Sequence, residues 1–517
     1  MDFILFSDIG ESTIDSSLGT PEYSYFFVLK AYLPVLQALG EVHRPQSLQE
    51  LEATARRLRA AGRDCLTLFF GPPHKAPLSL ACPILCVIAW EYDSIPNETW
   101  NDDPCSDWRY VLSRHGGAIS LSSHTARAIR ASMGEGFPVI PLPTPLWETY
   151  ASLGGQSPAN AIIEPTKLQI RGCILDTRLL GLSADGLIAP IHDIPAVADE
   201  PIEPIEPIIE AVPALTWRRR ALITRHYLLM WYREAVRDLV PAALRRGLSR
   251  LLRRPSPLAP AEPPAASSAT VIEEHPQAQL PDTSQLVEVQ VEGVVYVSVF
   301  NPADGRKNWE NLVTAFCWAF RDTADATLVL KITQKDLASY YVHMLTLLSQ
   351  LAPFACRVVV MHGFLDDEQF QRLREATSYY VNASRCEGLC LPLMEFLACG
   401  KPAIAPAHTA MEDYVDGDLA FVIPACREHA VWPQDTRLSY RTVRYRPDWG
   451  ALKQAYLDSH EIARQAPERY QAMSMAARQR MREFAGEERF ANELGEFLGT
   501  FLGTGRPDKA VAGDAAC

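Results

Sequence analysis

Ser384-Arg385-Cys386-Glu387-Gly388-Leu389-Cys390-Leu391-Pro392-Leu393-Met394-Glu395, closed by Cys399-Gly400-Lys401-Pro402-Ala403-Ile404-Ala405, decides how this chain is read. Tyr379, Tyr380 and Val381 lead in as a short apolar strand. Pro392 stands where a helix begins, because the N–H it lacks would be unpaired there anyway. Glu387 then falls on the strand-to-helix turn and Glu395 about one turn inside the helix. Both reach the crevice at the carboxyl end of a parallel sheet, where open α/β sheets bind ligands.

Outward from this stretch, short apolar runs alternate with helical stretches on both sides. Val294 to Val299, Thr327 to Ile332, Arg357 to Met361, Tyr379 to Asn382 and Pro402 to Ala405 predict one sheet, with helices over Trp309 to Phe320 and Asp366 to Ala376. Phe3 to Phe6, Leu66 to Phe70, Ile84 to Ala89, Ala118 to Leu121 and Pro138 to Leu142 predict another, with helices over Tyr25 to Leu39 and Leu48 to Ala61. Strands that alternate with helices imply parallel sheets, and 517 residues exceed what one core organises. The fold class is therefore α/β with two domains.

Hydrophobic content of 48% and charged content of 21% are those of a globular chain. A net charge of −13 argues against nucleic acid as a partner, since phosphate neutralisation needs a basic face. The twelve cysteines form no Cys-x-x-Cys knuckle, so zinc is not expected, and most read as buried thiols of a reduced compartment. Met1 to Phe6 has neither the basic start nor the apolar length of a signal peptide, and no run reaches the ~20 apolar residues that span a bilayer. The expected location is cytoplasmic.

The Ser-x-x-Glu-Gly…Pro…Glu…Gly-Lys-Pro frame resembles the Glu-x7-Glu motif of retaining GT-B glycosyltransferases of the family 4 type. The resemblance implies two Rossmann-like domains facing across a cleft: an acceptor domain over 1–150 and a nucleotide-sugar donor domain over 291–480, with a C-terminal helix and tail over 481–517. It implies that Glu387 lies beside the donor sugar and that Glu395 accepts from the ribose. Lys307 matches the family's phosphate-binding lysine. Asn301 stands where the family has an arginine, a departure that Arg306 beside Lys307 can offset. Ser384, Gly388 and Leu389 belong to the same donor loop, and Phe364 and Leu365 fall where the family reads the base. Ala407 to Glu412, with His408 and Thr409, replaces a glycine-rich loop and so offers fewer free amides to a phosphate. On the acceptor side stand Gly10, Glu91 and Asp93, with Trp90 and Trp100 as rings for a sugar face. Ser122 or Ser123 caps the helix that carries His124.

Residues 151–290 form a partly disordered insertion in this reading, with a small β excursion over 167–190. Proline every third residue at Pro201, Pro204 and Pro207 forbids a helix. Residues 217–254 carry eleven arginines, no lysine and two acids beneath a Leu/Tyr/Val stripe of helical spacing, which suits an anionic membrane surface or packing against the protein itself. Residues 255–268 read as disordered linker.

The implied reaction moves a sugar from a nucleotide-sugar to a saccharide or lipid-linked acceptor with retention, needs no cofactor or metal, and serves polysaccharide or glycoconjugate assembly. The enzyme would be cytoplasmic or peripheral on the inner membrane face. The alternatives are a nucleotide-sugar isomerase, and a catalytically weak nucleotide-sugar-binding or scaffold protein of the same fold.

Overall fold

Two parallel sheets dominate the computed structural model, which describes residues 1–517 except 11–13, 15–16, 21, 101, 154–159, 185–216, 232–279, 436 and 504–517. The first contains β1 (Asp2–Ser7), β2 (Glu41–His43), β3 (Cys65–Phe70), β4 (Ile84–Ile88), β5 (Ala118–Ser120) and β6 (Val139–Pro141), in the order β2-β1-β3-β4-β5-β6. Its central strands CLTLFF and ILCVI are buried throughout. A parallel strand covered on both faces needs such an unbroken apolar run. The covering helices are α1 (Tyr23–Leu39), α2 (Leu48–Ala60), α3 (Trp108–His115) and α4 (Ser123–Met133). α2 starts where Ser47 accepts from Glu50 N at 3.2 Å.

α5 (Trp147–Leu153) leads to the second sheet, which holds β7 (Ile163–Asp176), β8 (Leu286–Phe300), β9 (Ala326–Ile332), β10 (Arg357–Phe364), β11 (Tyr379–Val381), β12 (Ala403–Ala405) and β13 (Ala420–Val422). β13, β12, β11, β8, β9 and β10 pair side by side and parallel. The chain runs outward one way from β8 and the other way from β11, so the switch point lies between those two strands. Its crossovers are α7 (Trp309–Ala319), α8 (Ala338–Leu351), α9 (Asp367–Glu375) and α10 (Leu391–Ala398), the last with Pro392 inside its first turn as expected. α6 (Trp217–Trp231) belongs to a separate compact unit.

The β excursion expected within the insertion is corrected here. Residues 163–176 are β7, antiparallel to both β10 and the start of β8, so the pairings β8–β9–β10–β7–β8 close a four-stranded ring. A Cβ on Gly172 would lie 1.9 Å from His362 O, and one on Gly363 would lie 2.2 Å from Arg171 O, so the β7–β10 contact requires glycine on both sides. Arg357 bridges the ring, donating to both Asp176 oxygens at 3.0 and 2.6 Å and to Gln290 O at 2.7 Å. The proline-rich linker at 199–207, residues 232–254 of the basic stripe, and 255–268 lie outside the described residues.

After the second sheet come a hairpin, β14 (Ala425–Val431) with β15 (Arg441–Pro447), and three helices, α11 (Trp449–Gln465), α12 (Pro467–Ala485) and α13 (Glu487–Gly503). The C-terminal helix expected from 481 starts at Glu487, set off by Gly486. α13 returns to the first half, where Phe490 meets Tyr32 edge-on at 4.5 Å. A Cβ on Gly117 would lie 2.8 Å from the Phe501 ring. The two chain crossings lie side by side, with Leu146 N donating to Ala485 O at 3.0 Å. The two halves thus face one another with the carboxyl ends of their strands, the GT-B class expected from the motif. Nine of the described cysteines are free and buried, and Cys426 is free and exposed.

Candidate functional site

The β8/β11 switch point carries the charged centre of the molecule. The loop after β8 presents Arg306 and Lys307, and the loop after β11 presents Glu387. Lys307 Nζ lies 2.6 Å from Glu387 Oε1, and Arg306 Nη1 lies 2.7 Å from Oε2. Asn382 Nδ2 adds a contact at 3.4 Å, and Ser384 is a further hydrogen-bond partner. Glu387 is 2% exposed. Burial alone would raise its pKa, yet Lys307 and Arg306 hold it well below the usual carboxylate range.

Three residues around this centre adopt left-handed backbone without being glycine: Asn308 (φ 53°), Cys390 (φ 68°) and Thr409 (φ 52°). Such strain persists only where surroundings impose it, and it clusters at functional sites. Each is tied down. Asn308 Nδ2 donates to Ala383 O at 3.0 Å, and Asn382 Nδ2 reaches Cys390 Sγ at 3.0 Å. Thr409 Oγ1 accepts from Glu387 N at 3.0 Å and donates to His408 O at 2.7 Å. Thr409 thus holds a left-handed conformation that glycine adopts more readily.

From the first half, the segment after β4 closes over the site. Tyr25 OH, Thr125 Oγ1 and the Trp90 indole fix it, the last by donating to Ser94 O at 2.7 Å. Glu91 reaches Arg306 Nε at 3.4 Å, while Asp304 pairs with the same nitrogen at 2.9 Å. Burial pushes the Glu91 carboxyl up against the pull of Arg306. Gly388 packs onto this segment, and a Cβ there would lie 3.0 Å from Trp90 N. Ser122 caps α4, its Oγ accepting from Thr125 N at 3.2 Å.

The remaining expected residues lie as follows. Asn301 Nδ2 donates to Gly19 O across the cleft at 3.0 Å, and its Oδ1 accepts from Gln334 at 3.3 Å. Leu389 is buried, its carbonyl accepting from Tyr414 OH at 2.7 Å. Phe364 is exposed at the end of β10, and Leu365 is buried in the core. Gly10 follows β1, where a Cβ would meet Gln46 at 3.3 Å. Glu395 stands apart from Glu387 and faces Arg374 at 3.5 Å and Tyr150. Burial pushes its carboxyl up to about 7, more than Arg374 pulls it down.

Sequence reasoning missed the β14–β15 hairpin, which covers part of the expected acceptor side. Asp93 Oδ1 accepts from Thr442 Oγ1 at 3.2 Å and from Val443 N at 3.1 Å, and Arg427 sits 3.4 Å from its other oxygen. Trp90 and Trp100, offered above as rings for a sugar, pack instead on Trp432 of the hairpin at 5.4 and 6.1 Å. Tyr440 is buried and donates to Ser94 Oγ at 2.9 Å. Trp432 and Tyr440 were the only signals available in an otherwise arginine-rich stretch. Among the described residues, the group that could hold a metal ion is Asp2, Glu41 and His43, at the amino end of the first sheet, where Arg63 already pairs with Asp2 at 2.7 Å.

No family model and no curated protein matches the chain. Solved structures do resemble it distantly. A glycosyltransferase from Rickettsia africae shares 10% identity at a TM-score of 0.47, covering 98% of this chain and 99% of that one. HepE from Anabaena in complex with UDP shares 13% at 0.46, covering 97% and 100%. The pneumococcal O-GlcNAc transferase GtfA, solved with UDP and GlcNAc, shares 10% at 0.40, covering 87% of this chain, which spans only 60% of its length. With scores this low the likeness carries no functional argument, and the chain's own residues must supply one.

Proposed function

We propose that this chain is a glycosyltransferase that moves a sugar from a nucleotide-sugar to a hydroxyl of a saccharide or lipid-linked acceptor. One observation carries the reading: Lys307, Arg306 and Glu387 converge at the switch point of a parallel sheet, facing a second such sheet across a cleft. Lys307 and Arg306 stabilise the departing diphosphate, and Glu387 holds hydroxyls of the transferred sugar. Glu395 accepts from the ribose by turning from Arg374. Asn301, Ser384, Gly388, Leu389, Phe364 and Leu365 complete the donor side, with Gly10, Glu91 and Asp93 toward the acceptor. Transfer proceeds with retention and without a metal, the leaving phosphate taking the acceptor proton.

α6 supports a membrane-facing role in polysaccharide or glycoconjugate assembly. Trp217, Tyr227, Leu228 and Trp231 are exposed on it beside exposed Arg218, Arg220 and Arg225, a mix that suits an anionic lipid surface. No helix among the described residues is long and apolar enough to cross a membrane.

A second reading has its own support. Two cations, Arg306 and Lys307, stand among three carboxylates, Glu387, Glu91 and Asp304, which leaves no net positive charge for a diphosphate. That balance favours a protein that binds nucleotide-sugar and transfers slowly. Calorimetric titration of UDP-, GDP-, ADP- and TDP-sugars against wild type and Glu395→Ala tests the site. Binding of one donor that Glu395→Ala weakens by about 1–3 kcal/mol supports it. No binding across the panel refutes it, and binding without turnover in the presence of acceptors selects the second reading.

A further inference from the structure

Two buried imidazoles, one from each half, lie within electrostatic reach of each other, and the donor-site reading above uses neither. His124 lies near the start of α4 in the first half, and His408 lies on the loop after β12 in the second. Their segments are fastened together: Ser123 N donates to Asp413 Oδ2 at 2.8 Å, and Arg127 pairs with Glu412. His124 is 8% exposed and His408 5%. In each ring Nε2 is buried with no hydrogen-bond partner. Folded proteins rarely leave such an atom unpaired, and each instance calls for a ligand or a role.

Hydrogen-bond accounting fixes what these atoms offer. Thr409 Oγ1 gives its proton to His408 O at 2.7 Å, so His408 Nδ1, 3.3 Å from the same oxygen, must be the donor. His408 Nε2 is then a bare lone pair. In His124 the other ring nitrogen hydrogen-bonds to the Tyr92 backbone, which accepts, and Nε2 is again a lone pair. Burial lowers both pKa values, His408 to about 4, so the rings are neutral at pH 7. They lie within electrostatic reach of each other, and Glu387 lies within reach of His408.

His408 is held rigidly. Its ring stacks on Tyr445 of β15 at 4.6 Å and 11°, and Thr409 ties it to the Glu387 peptide. Two lone pairs beside a carboxylate repel anions and accept from hydroxyls. We propose that His124 and His408 form a paired subsite, reaching from both halves, that accepts hydrogen bonds from hydroxyls of the transferred sugar and so specifies an uncharged polyol. This rests on the nucleotide-sugar reading above and extends it to sugar selection. The residues act as positioning groups for the sugar, and no proton transfer is assigned to them.

The test titrates the full chain with three pairs, UDP and UDP-glucose, GDP and GDP-mannose, and ADP and ADP-glucose. In wild type the hexosyl form of one base binds more tightly than its bare diphosphate. His124→Ala and His408→Ala leave the diphosphate within twofold and weaken the hexosyl form about five- to tenfold each, the size of one lost hydrogen bond. His408→Gln, whose amide oxygen can replace the lone pair, recovers most of that loss. Variants that bind the hexosyl form like wild type overturn the inference. So do variants that lose the diphosphate equally, which marks a structural role, and a wild type that binds both members of a pair alike. A wild type that binds no member of any pair brings down the nucleotide-sugar reading itself.

Discussion

Glu387 and Glu395 belong to one motif nine residues long, yet their surroundings drive them in opposite directions. Glu387 meets two cations at 2.6 and 2.7 Å, which outweigh its desolvation and keep it ionised. Glu395 meets one cation at 3.5 Å, and that cation, Arg374, is shared with the Tyr150 and Phe370 rings at 4.9 and 4.8 Å. Arg374 also leaves its Nε buried without a partner. Desolvation therefore wins at Glu395, whose carboxyl rises to about 7. The motif places both acids, but partners from other elements set their charge.

The largest expected effect comes from breaking the Glu387 side. Glu387→Ala strands Lys307, while Arg306 keeps Asp304 and Glu91. Urea unfolding should therefore show a loss near the lower end of the range for broken buried pairs, about 3 kcal/mol. A loss below about 1 kcal/mol would mean that the pairing is solvent-screened.

The pH dependence sharpens the contrast, because the two signs differ. Glu395 has a folded pKa above its unfolded value of about 4.5, so its contribution is fully present below pH 4.5 and is lost as pH rises to about 7. That loss is about 3 kcal/mol. Glu395→Gln should flatten the limb between pH 4.5 and 7 in denaturant melts. Glu387 is depressed, so its contribution is present above pH 4.5 and is lost as pH falls below that. Glu387→Gln should flatten only the acid limb. If both variants flatten the same limb, the comparison fails.

Gly388→Ala crowds Trp90 N and should cost about 2 kcal/mol in thermal melts. It strains the Glu387 side alone, so the Glu395 limb of the pH curve should keep its midpoint. Smallest is Thr409→Ala, which takes the acceptor from Glu387 N and should cost about 1 kcal/mol by the same measurement. A gain in stability would show that the left-handed strain at Thr409 outweighs its bridge.

The strand-turn-helix around Glu387 was legible because its signals are local: an apolar strand, Gly388 beside Glu387, and Pro392 within the first turn. Ser122 as a cap was legible for the same reason. β7 was legible as a β segment over 167–190 but not as part of the second sheet, since its partner Arg357 on β10 is far along the chain and the intervening linker hid its boundary. The hairpin was illegible because Arg427, His429, Arg441 and Arg444 show no apolar alternation. Docking of Trp432 and Tyr440 stabilises it instead. The partners of Glu395 come from α5 and α9, and no spacing within the motif points to them.

The return of α13 to the first half bears on how the chain is made. Phe490, Leu494 and Leu498 join a core that also contains Tyr32 and Phe70. A ribosome adding about 5–20 residues each second delivers them tens of seconds after the first sheet has emerged. The nascent first half must wait with an apolar face uncovered. Chaperone dependence during synthesis should therefore fall on the first half, in the interval before α13 has been made.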